Sequence, residues 1–158
     1  MSVSLPNRNL PLLLLRAREG VMSQFRWILN QHGLTEQQWR VMRALLENDS
    51  MEPRQICETC QLLSPSLAGV LSRMEEVGLV KRKRMAADQR RVLVSITPRS
   101  RALARKMAPL IEAQYAELER ALGGDLMAQT YQAIDRLLDR LAEVKAPDGM
   151  PGGSAGSA

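Results

Sequence analysis

Cys57 and Cys60 stand three positions apart in "QICETCQLLSPSL", residues 55–67, a spacing that in other settings grips zinc or shuttles electrons. A structural zinc site takes four Cys or His ligands; the sequence offers three in all, and His32 lies far upstream of the pair. A thioredoxin-type pair follows a strand in a βαβ setting, and no such pattern surrounds these thiols. Two cysteines make no disulfide framework, and a reducing compartment suits them. The pair therefore reads as two small packing residues one helical turn apart. Oxidation sensing is the rival reading, with Arg54, one turn before Cys57, as the basic residue placed to activate a thiolate. One histidine, no glycine-rich phosphate loop, no G-x-S-x-G and no paired metal motif leave nothing to carry a reaction. No catalytic residue, metal or cofactor is expected, and His32, beside Gly33, reads as a donor at a helix C-terminus.

Charge points to different chemistry. From Lys81 to Lys106 there are ten basic residues against one acid, Asp88, a local charge of +9 in a chain whose formal total is +5, so the remainder carries −4. One concentrated positive segment on a slightly acidic protein is what a polyanion such as duplex DNA selects.

The elements that must carry this segment follow from length and periodicity. At 158 residues, 45% hydrophobic and 25% charged, the chain can bury one core, or one core per subunit of a dimer. "LPLLLL" (Leu10–Leu15) runs at once into Arg16, Arg18 and Glu19, so neither a membrane span nor a cleavable signal is expected and a cytoplasmic location is. Residues 1–8 and the Gly/Pro/Ser-rich residues 146–158 read as a flexible N-terminus and a disordered tail. A first helix is predicted from Asn9 to Gly33, with Leu14, Arg18, Val21, Phe25, Ile28 and Leu29 as its stripe. Thr35 with Gln38 is a capping box for a second helix with Trp39, Met42, Leu45 and Leu46 inward. A short helix from Pro53 to Cys60 turns Ile56 and Cys60 to the core. The next opens with Ser64 as N-cap and Pro65 at its first position, and Gly78 closes it. Two short helices around a tight turn make a helix-turn-helix.

After Gly78 the period falls to two, and 79–84 and 92–97 read as two strands joined by "MAADQRR". Thr97 and Pro98 begin a long helix with Pro109 inside it, where a bend is expected. "GGD" precedes a last helix with Met127, Tyr131, Ile134, Leu138 and Leu141 inward. The predicted class is mostly α with a small β-wing: a winged helix-turn-helix over 35–97, with dimerisation helices over 9–34 and 98–145. The terminal helices hold more leucine than one subunit can cover, so a second copy is expected to cover them.

On DNA, a two-fold dimer would place two reading helices in successive major grooves, on a pseudo-palindromic operator with half-sites about 10 bp apart. The outward face of the helix at Ser64 is small at its start. Pro65, Ser66, Ala68 and Gly69 allow close approach, Ser64, Ser66 and Ser72 can donate to phosphates or base edges, and Arg73 is its strongest contact. On the hairpin, Arg90 and Arg91 would reach a minor groove or its phosphates, flanked by Arg84 and Gln89, with Asp88 holding Arg90 in place. Packaging of DNA or RNA without sequence preference stays open as a rival, though few aromatics are available to stack single strands.

"DQRRVLVSIT" fits D-x-R-x-x-x-V-x-[LI]-T through Asp88, Arg90, Val94, Ile96 and Thr97. With "LSRMEEVGLVKR" before it, the chain resembles the MarR family of winged-helix repressors over roughly residues 10–144. "LTEQQWRVMRAL" and "LLSPSLAGVLSRME" look more narrowly like that family's homoprotocatechuate-degradation repressors. The resemblance implies a homodimer that blocks a promoter and is released by a small hydroxylated aromatic acid lodged between the dimerisation helices and the reading head. It also implies, as the alternative, a switch driven by oxidation of cysteines. Arg16, Gly20, Ser23 and Trp27 fall within about 60° of one another on a continuous first helix. An arginine can fork onto a carboxylate, a serine can bond a ring hydroxyl, a tryptophan can stack on a ring and a glycine leaves room. Trp39 and Arg43 on the next helix could close such a site. Each has a plainer reading: Trp39 as core, Arg16 and Arg43 as surface charge, Trp27 as a dimer contact.

Overall fold

Asn9 starts the first helix by accepting the Leu12 backbone N–H on its side-chain oxygen at 3.0 Å, with Pro11 in the first turn where its missing donor costs nothing. The computed structural model describes residues 7–144; the expected tail and most of the expected flexible N-terminus lie outside the described residues. The elements are α1 (Leu10–Ser23), α2 (Arg26–Gln31), α3 (Glu36–Asn48), β1 (Ser50–Met51), α4 (Pro53–Cys60), α5 (Ser64–Glu76), β2 (Val80–Arg84), β3 (Val92–Ile96), α6 (Pro98–Leu122) and α7 (Gly124–Glu143). This is the mostly helical class with a small β-wing that the sequence predicts. The chain divides into two units, residues up to Gln114 and residues from Tyr115.

In the first unit, the single helix predicted over 9–33 is two. The Ser23 hydroxyl donates to the Gly20 carbonyl at 2.7 Å. The N–H groups of Gln24 and Phe25 turn to Val21 and Met22, three residues back, at 3.1 and 3.0 Å. A hydroxyl competing for a helical carbonyl and a tightened last turn together end α1. Gly33, at φ +68°, stops α2 as expected. The Thr35–Gln38 capping box is present, with bonds of 2.9 and 3.2 Å. It draws Gln38 inward, so the buried face of α3 is Gln38, Val41, Met42, Ala44 and Leu45, while Trp39 and Leu46 are only half-buried.

Ile56 and Cys60 of α4 are buried as predicted. The start of α5 is displaced by one residue. Leu63 is the N-cap, in extended backbone, and its carbonyl takes the Leu67 N–H at 2.9 Å. Ser64 is therefore the first helical residue, and no hydroxyl caps this helix. Leu67, Val70, Leu71 and Met74 form its buried side. "DSM" contributes β1, a strand the sequence reading lacks: Ser50 and Met51 pair with Ser95 and Val94. The sheet thus has three antiparallel strands in the order β1-β3-β2. β2 and β3 pair from Val80↔Ile96 to Arg84↔Val92, with Val80 and Val94 buried.

A buried hydroxyl pair joins this sheet to α6. Thr97 Oγ1 donates to the Gly78 carbonyl at 2.7 Å and accepts the Ser100 N–H at 3.2 Å, while Ser100 Oγ donates to the Leu79 carbonyl at 2.5 Å. Ser100 is fully buried. Replacing Ser100 with Ala strands part of that carbonyl's bonding capacity without water, and should lower the free energy of unfolding by about 1–3 kcal/mol in urea titrations. α6 runs on through Pro109. On α1 the expected inner residues Leu14 and Val21 are exposed, because only the part of the stripe beyond the break (Phe25, Ile28, Leu29) reaches the core.

In the second unit, α7 begins after Gly123 at φ +89°. Within one chain its expected inner face is exposed: Tyr131, Ile134, Leu138 and Leu141 all face solvent. Spaced three, four and three apart, they form one stripe.

Candidate functional site

The N-terminal face of α5 presents Ser64, Pro65, Ser66 and Ala68 to solvent, with Gly69 and Ser72 half-buried behind them. Arg73 is exposed, and its side chain folds back over Gly69: a Cβ there would sit 3.4 Å from Arg73 Nη1. Glycine thus lets the guanidinium lie along the helix surface. α5 packs against β2, so the hairpin rises beside this face.

The hairpin tip is shaped by its own polar groups. Met85 N–H donates to the Arg91 carbonyl at 2.9 Å, and Arg91 N–H to the Asp88 carbonyl at 3.0 Å. Asp88 Oδ1 accepts the Arg90 backbone N–H at 3.0 Å. Asp88 therefore fixes the turn that presents Arg90, leaving the Arg90 guanidinium free of acidic partners among the described residues. Arg84 Nη1 donates to the Gln89 carbonyl at 2.8 Å and stiffens the tip.

Two acids that sequence reasoning missed tie the hairpin down. Glu75 of α5 takes Arg82 through Oε2 at 2.8 and 2.5 Å, and Arg82's backbone N–H through Oε1 at 3.2 Å. Glu52, the residue before α4, pairs with the Arg91 guanidinium. Those guanidinium hydrogen bonds hold both carboxyls below the usual glutamate range, so both acids are charged at neutral pH. Glu75 is foreshadowed by its place seven residues before Arg82; nothing local foreshadows Glu52, 39 positions from Arg91.

Arg16, Gly20 and Ser23 lie exposed on α1, and nothing stands within 4 Å of a Cβ built on Gly20. The helix break separates them from Trp27 on α2, so the four do not share the one continuous helix the stripe assumed. Trp27 is half-exposed, and its indole N–H donates to Gln114 Oε1 at 3.1 Å. Arg43 turns to Glu47 at 3.6 Å, and Trp39 is half-buried. Glu36 gathers Arg18, Arg26 (3.7 Å) and Arg40 (3.6 Å). Arg40 also reaches the Cys60 carbonyl at 2.7 Å.

Both thiols are free. Cys60 is buried, and burial pushes its thiol up, away from the thiolate. Cys57 Sγ lies 3.8 Å from Ser64 Oγ. Arg54, the candidate activator, pairs with Glu58 at 3.1 Å. Among the described residues no group of three or more His, Cys, Asp or Glu could hold a metal ion, and no helix is long and apolar enough to cross a membrane. His32 Nδ1 stands 2.8 Å from the Ile28 carbonyl, as befits a group at the end of α2.

Residues 32–91 match the sequence profile of the MarR family. The chain is 38% identical over 130 residues to the homoprotocatechuate degradative operon repressor of Escherichia coli, covering 82% of this chain and 88% of that protein. Among solved structures it resembles the transcriptional regulator PA4135, with 41% identity, a TM-score of 0.80, and coverage of 89% of this chain and 100% of that one. It also resembles NadR in complex with 4-hydroxyphenylacetate, with 34% identity, a TM-score of 0.74, and coverage of 92% and 100%.

Proposed function

The chain belongs to the MarR family of transcriptional regulators, and from that premise we propose that it is a dimeric repressor of an aromatic-compound catabolic operon, released from a pseudo-palindromic operator by a small hydroxylated aromatic acid. The observation that carries the reading is the juxtaposition, on one unit, of an exposed small-residue helix face with a cationic hairpin whose tip is fixed by Asp88 and Arg84. Ser64, Pro65, Ser66, Gly69, Ser72 and Arg73 would enter the major groove. Arg84, Gln89, Arg90 and Arg91 would follow the adjacent backbone, with Asp88 setting their turn. The exposed leucines of α1 and the stripe of α7 supply the surface a second copy would cover.

The aromatic acid is supported by the ligand of NadR, and by the residue types exposed on α1 and α2. Arg16 would fork onto the carboxylate and Ser23 bond a ring hydroxyl. Gly20 would give room, the face of Trp27 would stack, and Trp39 with Arg43 would close the site. A regulator of this kind prefers its operator to random duplex by roughly 10³ or more at one fixed salt concentration; a ratio near one would mean packaging instead. Thermal-shift measurements with dihydroxyphenylacetate, 4-hydroxyphenylacetate, hydroxybenzoates and hydroxynicotinates should find an acid that stabilises the free protein and, by linkage, weakens operator binding. Arg16→Ala should weaken binding of that acid by about 10–100-fold, the worth of a hydrogen bond to a charged group, and leave DNA affinity nearly intact. Unchanged release by the acid would remove Arg16 from the site.

A further inference from the structure

Arg91 is charged and sits at the base of the hairpin loop, yet it is already spoken for: its guanidinium is paired with the Glu52 carboxylate. The two acid ties of the hairpin differ in kind. Arg82 meets Glu75 with two guanidinium nitrogens and its own backbone N–H, an arrangement that braces β2 against α5 whatever else is bound. Arg91 meets Glu52 through one nitrogen, Nη2, and half of its side chain, 52%, stays exposed. A carboxylate in that position presents to the guanidinium the same charge and acceptor geometry that a DNA phosphate would.

We propose that Glu52 is a built-in competitor for DNA: it occupies Arg91 in the free protein, a backbone phosphate must displace it, and the exchange sets the affinity of the hairpin for duplex independently of sequence. The inference rests on the DNA-binding reading above and adds to it a residue that opposes binding. Its physical basis is simple. An exposed pair of this type is weak enough to be broken on binding and strong enough to be felt in the affinity. While Glu52 is charged it also repels the phosphate directly, and Asp88, whose field likewise reaches Arg91, adds to that repulsion without making the same contact.

The test is a double-mutant cycle on the full chain: wild type, Glu52→Gln, Arg91→Gln and the double variant. Binding is read by fluorescence anisotropy on a labelled random-sequence duplex about three helical turns long, across a salt series. Glutamine keeps the shape of Glu52 and removes its charge. Glu52→Gln should tighten binding by about two- to fivefold for each hairpin engaged. It should also steepen the log–log salt dependence by about 0.9 for each further phosphate neutralised. Arg91→Gln should cost less in the wild-type background than in the Glu52→Gln background, and the double variant should lose the tightening. Tighter binding that persists without Arg91 would show plain removal of a negative charge and overturn the proposal. So would weaker binding by Glu52→Gln, which would make the pair a brace like Glu75–Arg82. Wild-type binding with no response to Glu52→Gln overturns the competitor alone; absence of duplex binding by all four proteins overturns the DNA-binding reading with it.

Discussion

Ile134→Asp combined with Leu138→Asp should turn the protein into a folded monomer and cut operator affinity by about 10²–10⁴-fold. The two side chains are 41% and 59% exposed in the single chain, and they stand four residues apart on the same face of α7, in line with Tyr131 and Leu141. A helix with one long apolar stripe does not leave it in water when a second copy can cover it. Burying each side chain contributes about 1.5–3 kcal/mol. Four such side chains in a two-fold complex make about 6 kcal/mol or more at stake, and every 1.4 kcal/mol is roughly tenfold in association. The aspartates also bring like charges together across the two-fold axis. DNA affinity falls because two linked reading heads become one, which removes the effective-concentration advantage of binding the second half-site. Sedimentation velocity should show the wild type as a dimer and the variant as a monomer of unchanged helical content by circular dichroism. A monomeric wild type at micromolar concentration would remove the two-fold scaffold from the proposed mechanism.

What could be read in the sequence was whatever a local rule decides. Thr35 and Gln38 cap α3 because the box needs only residues three apart, and Gly33 and Gly78 stop helices because their positive φ suits glycine. The outer face of α5 was readable by subtraction: once Leu67, Val70, Leu71 and Met74 face the core, Ser64, Ser66 and Ala68 face out. The hairpin was readable from its period of two. What escaped depends on partners distant in the chain or on competition between near-equal local choices. β1 exists only because Ser50 and Met51 meet Ser95 and Val94, and two residues carry no period. The α1–α2 break turns on a serine hydroxyl choosing a carbonyl rather than water, which an uninterrupted helical pattern hides. Leu63 replaces Ser64 as N-cap although serine is the better capping residue, and the Ser64 hydroxyl instead lies against Cys57.

The candidate site divides along the same line. Asp88, Arg90 and the small face of α5 are where local reasoning puts them. Arg91 is not the free cation its position suggests, because Glu52 reaches it from a distant stretch of chain. The effector stripe suffers most, since its alignment assumed one helix where the fold has two. Arg16, Gly20 and Ser23 keep their common face on α1, while Trp27 takes its direction from the separate helix α2 and its bond to Gln114.

The support helix gives the second large effect. Ile56 is fully buried on α4, which packs on α3, α5 and β3 at once, so it sits where the helix-turn-helix meets the sheet. Ile56→Ala removes three carbons from that junction and leaves a cavity that three fixed elements cannot collapse to fill. The cost should be about 2–5 kcal/mol, a large share of the roughly 5–15 kcal/mol that holds a domain of this kind folded. For a dimer the loss must be compared at one protein concentration, since association adds to apparent stability. Urea titration followed by tryptophan fluorescence should show a lower midpoint at unchanged slope. DNA binding should weaken as well, because α4 sets the height from which α5 meets the groove. Cys60→Ala, one turn on and also buried, supplies the contrast. It removes one sulfur from the same wall and should cost less than Ile56→Ala. It should leave DNA binding intact with or without peroxide, as packing rather than redox chemistry requires of a buried thiol with a raised pKa. Loss of DNA binding on peroxide treatment of the wild type, absent in Cys60→Ala, would instead make that thiol the sensor.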